Sequence, residues 1–270
     1  MIREPVVSGK FYPSQKSLLE KELLSMIEST EPPAPALGVI SPHAGYIYSG
    51  SVAGCTLRSV KPVSSYIIMG PNHTGMGAQF AVSGCEYWKT PLGNIKIDSD
   101  LRAAIIEHVS LVESDDVSNA AEHSVEVQLP FLQLINKDPF TFVPMVISQG
   151  SLDEYRNIGR GIARAVKDLK REGDVVIVAS SDMTHYESRD AAKKKDFAAI
   201  EAILALDEER LFNTVMSLDI SMCGYAPVII MMAACKALGA KKARLIKYQT
   251  SGDVTGDYRE VVGYAGMVIS

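Results

Sequence analysis

The sequence predicts an α/β protein: a single three-layer α/β/α domain spanning residues 1–270, with a mixed, largely parallel central sheet. Three observations carry that reading. Strand-like and helix-like segments alternate along the whole chain. The apolar runs GVIS, SYIIM and VVIVA lack the period-two alternation of half-buried strands, so they read as strands covered on both faces. No Gly- or Ser-rich linker and no repeat divides the sequence, which fits one domain.

The elements follow in order. Ser14 to Ile27 carries Leu18, Leu19, Leu23, Leu24 and Ile27 on one helical stripe, with Ser14 as the N-cap. EPPAPA, residues 31–36, is a stiff connector. A strand is expected over Gly38–Ser41, then a helix capped by Ser49 or Ser51 and running to Val60. Strands are expected at Ser65–Met69, Gln79–Ser83 and Asn94–Ile97, and a helix from Asp98 or Ser99 to about His108. Ser124 to Ile135 reads as a helix that Pro130 either kinks or enters at the first turn. A strand at Thr141–Ile147 precedes a helix at Leu152–Lys170, which Gly173 stops. After a strand at Val175–Ala179 come helices at Arg189–Leu206, Glu208–Ser217 and Tyr225–Leu238, the last closed by Gly239. Strands at Arg244–Gln249 and Val261–Ile269 end the chain.

Composition excludes several classes. A net charge of −5 argues against a nucleic-acid platform or a basic membrane-surface protein. The longest apolar stretch, Ala226 to Ala234, is too short to span a bilayer and is followed by Lys236. The N-terminal MIREPVVSGKFYP has no apolar signal-peptide core, so a soluble, cytoplasmic protein is expected. The 4 cysteines, at 55, 85, 223 and 235, show no CxxC spacing and are expected as reduced thiols.

The chemistry gathers at strand exits. GVISPHAGY leads into His43, YIIMGPNHTG into His73, and DVVIVASSDMTH into Asp182 and His185. Ligands of open α/β sheets bind outside the carboxyl ends of the strands, so these groups are expected to share one crevice. Three of the chain's 5 histidines lie at such exits. Cys223, in SMCGYAPV, precedes a helix start, which is expected to favour its thiolate as a soft ligand or nucleophile. His123 lies between Glu122 and Glu126, carboxylates that set its charge or else cap the following helix. Two histidines and a carboxylate with open positions suit ferrous iron; histidines with a thiolate suit zinc or copper. No HExxH, P-loop, GxSxG or GxGxxG pattern points elsewhere.

FYP, SPHAGYIYSG, GPNHTG, EHSVEVQLPFL, SSDMTHYE and MCGYAPV occur in an order that resembles the Memo family, from about residue 5 to the C-terminus. That family is similar in fold to the class III extradiol dioxygenases, which cleave catechol rings with ferrous iron. The resemblance implies that His43, His73 and Cys223 hold a transition metal, with iron foremost and copper or zinc as alternatives. It implies His185 as acid/base and Asp182 as a pocket residue. Cys223 stands where the dioxygenases place a glutamate. Two functions are therefore expected. The first is a metal-dependent redox or dioxygenase-like enzyme in which His185, Asp182 and His123 act on a small molecule. The second is a non-catalytic module whose pocket receives an anionic ligand or phosphopeptide.

Overall fold

The computed structural model describes residues 1–27 and 32–270. In chain order the elements are β1 (Ile2–Arg3), α1 (Lys16–Met26), β2 (Gly38–Ser41), α2 (Tyr46–Arg58), β3 (Ser65–Pro71), β4 (Phe80–Val82), β5 (Tyr87–Thr90) and β6 (Gly93–Ile97). They continue with α3 (Ser99–His108), β7 (Glu113–Ser114), α4 (Val117–Ala120), α5 (Leu129–Ile135), β8 (Thr141–Ile147), α6 (Leu152–Asp168) and β9 (Val175–Ser180). The rest are β10 (His185–Glu187), α7 (Arg189–Leu204), α8 (Glu208–Ser217), α9 (Tyr225–Ala237), β11 (Ala243–Thr250), α10 (Gly252–Thr255) and β12 (Val261–Ile269).

The parallel heart of the sheet runs β6-β8-β3-β9-β2. β12 adds to β2 antiparallel, and β10 and β11 both pair with β12 antiparallel. Side chains alternate across the sheet. Val39, Ile68, Phe142, Val176 and Val178 join a core with α1, α2 and α5. Ile40, Ile67, Met69, Val143 and Ile177 join a second core with α3, α6, α7, α8 and α9. The apolar runs are unalternating because both sheet faces are covered, and each buried aliphatic side chain contributes about 1.5–3 kcal/mol. Among the described residues, no helix is long and apolar enough to cross a membrane.

This topology sets three strand exits side by side. Ile40 of β2 lies opposite Ala179 of β9, and Met69 of β3 lies opposite the same residue. The segments after β2, β3 and β9 therefore leave the sheet along one edge.

Several boundaries depart from expectation. α2 begins at Tyr46, behind Gly45, so Ser49 and Ser51 are helical and cap nothing. α1 is preceded by Gln15 rather than capped by Ser14. Ser124 to Ile135 is a 3-10 turn over Glu126–Gln128 followed by α5, with Pro130 in the first turn, where its missing N–H costs nothing. α6 ends before Gly173: Leu169 is the C-cap and Lys170 takes the left-handed conformation at φ 54°. The connector expected at 31–36 begins at Glu31, outside the described residues; the remainder is described. β5, β10 and the two-residue strands carry too few apolar residues to be legible.

Candidate functional site

The exits converge on a cluster of imidazoles. The His43 and His73 ring centroids are 5.2 Å apart. His123, from the loop before α5, stacks on His73 at 4.8 Å and 20° and meets His43 edge-on at 5.6 Å. Cys223 Sγ lies 3.3 Å from His43 Nε2. One ligand atom from each of His43, His73 and Cys223 falls within 4.8 Å of the others. A Cβ on Gly224 would run into the carbonyl of Ser180 and the side chain of Ser181. Glycine there lets the start of α9 close on the end of β9, and that approach seats Cys223 beside His43.

Hydrogen bonds fix which nitrogen each histidine offers. His73 Nδ1 is 2.9 Å from Glu122 Oε1, so it carries the proton and Nε2 keeps its lone pair. His185 Nδ1 faces the carbonyl of Ser221 at 2.9 Å, which requires the same tautomer. At His43 the neighbouring group that sets the tautomer is Ser180. The Ser180 hydroxyl donates its one proton to the Ser124 carbonyl at 2.6 Å. It also accepts from Gln128 Nε2 at 2.8 Å. Gln128 cannot be turned around, because Nε2 also donates to the Pro42 carbonyl at 2.9 Å. Ser180 Oγ is left only with acceptor capacity toward His43 Nδ1, 3.0 Å away, so Nδ1 is protonated and Nε2 is free.

His73, Glu122 and His123 form a second metal-compatible group by distance. Its carboxylate is already saturated. Glu122 Oε2 accepts the His73 backbone N–H, and Oε1 accepts His73 Nδ1–H and the N–H groups of His123 and Ser124. Those bonds fill the roughly four lone-pair sites of a carboxylate. Glu122 therefore ties the His73 and His123 loops together and orients His73, in the manner of carboxylates behind metal-binding histidines. Glu126, the other carboxylate beside His123, caps nothing. It receives buried Arg3 at 2.8 Å, the Tyr12 hydroxyl, and the N–H groups of Val6 and Val7. This pins the N-terminal segment so that Phe11 packs edge-on against His123 at 4.9 Å.

Electrostatics differ among the groups. Burial, with help from neighbouring His73 and His123, pushes His43 well below the ordinary histidine value and keeps it neutral. Burial would also lower His73, but the hydrogen bond and charge of Glu122 outweigh it and leave it raised. His123 is lowered by burial, which Glu122 only partly offsets. Glu122 resists its own burial through His73 and the surrounding N–H groups and is held down at about 2. Burial raises Asp182, whose Oδ1 accepts the His43 backbone N–H at 2.8 Å and so clamps the β2–α2 turn. The expectation of a lowered Cys223 thiol is overturned: burial raises it, and the charge of Asp182 adds to the effect. Cys223 lies outside the helix, with Gly224 as the N-cap, and its S–H donates toward the bare His43 Nε2.

A cleft of about 1020 Å³ opens over His43, His73, His123, Asp182 and His185. A second, of about 740 Å³, reaches His73 and Cys223 from the other side. Ser180, Gln128 and Glu122 shape the cluster from behind. Of these, Ser180 and Gln128 carry no local signal in the sequence, since their role exists only once β9 and the α5 region meet. Tyr264 and Tyr186 line the larger cleft and were equally silent.

These features define an α/β/α protein with a His/His/Cys donor set at the carboxyl edge of a largely parallel sheet. The chain belongs to the Memo family: the family model described as Memo-like protein matches residues 3–268. It is 43% identical over 290 residues to a MEMO1 family protein of Methanococcus vannielii, covering 100% of both chains. It is 40% identical over 281 residues to one of Methanopyrus kandleri, covering 99% of each. One from Nitrosopumilus maritimus is 40% identical over 276 residues, again covering 99% of each. The crystal structure of an uncharacterized protein from Escherichia coli K12 superposes with a TM-score of 0.59 at 14% identity, covering 86% of this chain and 99% of that one. That likeness speaks for the fold.

Proposed function

We propose that this protein is a metal-dependent redox enzyme of dioxygenase-like chemistry, acting on a small molecule in the larger cleft. The observation that carries the reading is the donor set itself: two imidazoles with bare Nε2 atoms and one sulfur, all within 4.8 Å. This set fits a transition metal, because neutral imidazole and thiolate are ligands for iron, copper and zinc. Iron is the metal assigned here. When bound, it would supply Lewis-acid and one-electron chemistry that the side chains alone lack.

The chain's own groups divide the remaining work. His185, whose Nδ1 is engaged by the Ser221 carbonyl, lines the cleft and takes a proton from the substrate through its other ring nitrogen. Asp182 holds the turn that aims His43. His123, backed by Phe11 and stacked on His73, forms a wall against which substrate rests. A site dependent on a reduced cysteine suits the cytoplasm, where we place the protein.

The test is metal content after purification without oxygen, comparing wild type with a His43→Ala/His73→Ala double variant. Near-stoichiometric iron in the wild type and trace metal in the variant are expected. Equal trace metal in both would remove the metal from the account. In that event calorimetry with phosphopeptides would examine the same cleft as an anion-binding module.

A further inference from the structure

The sheet alone holds His185 weakly. β10 is an edge strand beside β12, and the pairing is irregular. His185 lies opposite Val262 and Glu187 opposite Val261, which leaves Tyr186 unpaired between them at φ 58°. A bulge of this kind disrupts the ladder that would otherwise fix a side chain. Ser221 makes up for it from outside the sheet. Its hydroxyl accepts the His185 backbone N–H at 2.7 Å, and its carbonyl accepts His185 Nδ1–H at 2.9 Å. One residue thus grips both the backbone and the ring. A second tie runs alongside: Lys195 Nζ donates to Glu187 Oε1 at 2.6 Å and to the Asp219 carbonyl at 3.1 Å.

The stretch that carries Ser221 also carries Cys223. Burial alternates along it. Ile220 and Met222 are 6% and 2% exposed and join the core, whereas Ser221 is exposed and Cys223 half-buried. Alternate residues of an extended chain share a side, so one short stretch serves two groups. Ser221 grips His185, and Cys223 Sγ lies 3.3 Å from His43 Nε2. Ser221 lines the smaller cleft and is not among the residues lining the larger one, which His185 does line. Its influence on a ligand in the larger cleft therefore passes through His185.

We propose that Ser221 is the positioning residue for His185, and that through it the ligand state of Cys223 is felt at His185, coupling metal loading to the placement of the proton acceptor. In metal-free protein the Cys223 S–H donates toward His43 Nε2. Cys223 exchanges that contact for a metal bond on loading, and Ser221, two residues away, shifts with it. The coupling rests on the proposed roles of Cys223 and His185; the grip of Ser221 on His185 does not.

The experiment is nitrogen–proton NMR of the His185 ring in full-length protein at fixed pH, before and after saturating zinc, with zinc uptake measured on the same samples. In metal-free wild type the Nδ1–H proton should exchange slowly and be visible. Ser221→Ala should lose that signal, and Ser221→Thr, which keeps the hydroxyl, should retain it. Both variants should melt within about 2 °C of wild type, because position 221 is exposed. Zinc should move the His185 ring signals in wild type and in Ser221→Thr, and leave them in place in Ser221→Ala. The positioning role is overturned if Ser221→Ala keeps the Nδ1–H signal, or loses it only together with a large fall in melting temperature. The coupling is overturned if zinc moves His185 equally in wild type and Ser221→Ala, as the charge of the ion acting through space would do, or moves it in neither. Failed zinc uptake by wild type would sink the metal reading and the coupling with it, while the metal-free comparison still decides the grip of Ser221.

Discussion

The two strand ends that deliver His43 and His73 solve one problem in different ways. Both hold Nδ1–H so that Nε2 is bare. Behind His73 stands an ionised carboxylate, Glu122, that also gathers three backbone N–H groups. Behind His43 stands a neutral chain in which Ser180 donates a hydrogen bond to the Ser124 carbonyl and accepts from Gln128 and from His43 Nδ1–H. Position alone can be set by either device. Charge cannot, so the two imidazoles differ in basicity: His73 is raised, while His43, buried and beside other imidazoles, is lowered. One imidazole is thus made the more basic and the other is held toward its neutral form.

Removing the charged anchor should have the largest effect. Glu122→Ala leaves buried N–H groups on His73, His123 and Ser124 without partners and should cost about 3 kcal/mol or more in a urea melt. Glu122→Gln keeps the volume and should weaken metal binding about 100-fold in a chelator competition. Ser180→Ala, which removes only a neutral acceptor, should weaken it about tenfold. It should also let His43 populate the other tautomer, read by side-chain nitrogen NMR of metal-free protein, with His73 unmoved. If both variants had equal effects on metal affinity, the charge difference would have no consequence.

The smallest effect is in the pH dependence, and its signs are opposed. His43 is depressed below 6.5, so its contribution to stability is present above that value and is lost as pH falls through the depressed value. His73 is raised above 6.5, so its contribution is full below 6.5 and is lost as pH rises through the raised value. Glu122 is held at about 2, so its contribution is complete above the ordinary carboxylate range and fades as pH falls toward that value. Nitrogen-detected titration of metal-free protein should place His43 and His73 on opposite sides of 6.5. Titration of both on the same side would erase the comparison.

The same contrast explains what the sequence revealed. His43, His73 and Asp182 were legible because strands buried on both faces have a plain apolar signature, and whatever follows them lies at a sheet edge. Cys223 was legible as a neighbour of a helix start, but its thiol was misjudged. Local sequence shows the helix; it does not show the burial and the nearby Asp182 that raise the thiol. Glu122 was seen as a cap, and it does accept the N–H groups of His123 and Ser124, but its bond to His73 joins residues 49 apart. Ser180 and Gln128 were invisible for a similar reason. Their roles depend on β9 and the α5 region meeting, and strand order is not written in any local pattern.

The central claim is that His43, His73 and Cys223 bind one metal ion, and X-ray absorption at the edge of the loaded metal tests it most directly. For zinc-loaded wild type, the account predicts a nitrogen shell from two imidazoles and one sulfur at about 2.3 Å, with the sulfur lost in Cys223→Ser. A wild-type spectrum fitted by oxygen and nitrogen alone, unchanged in Cys223→Ser, would contradict it.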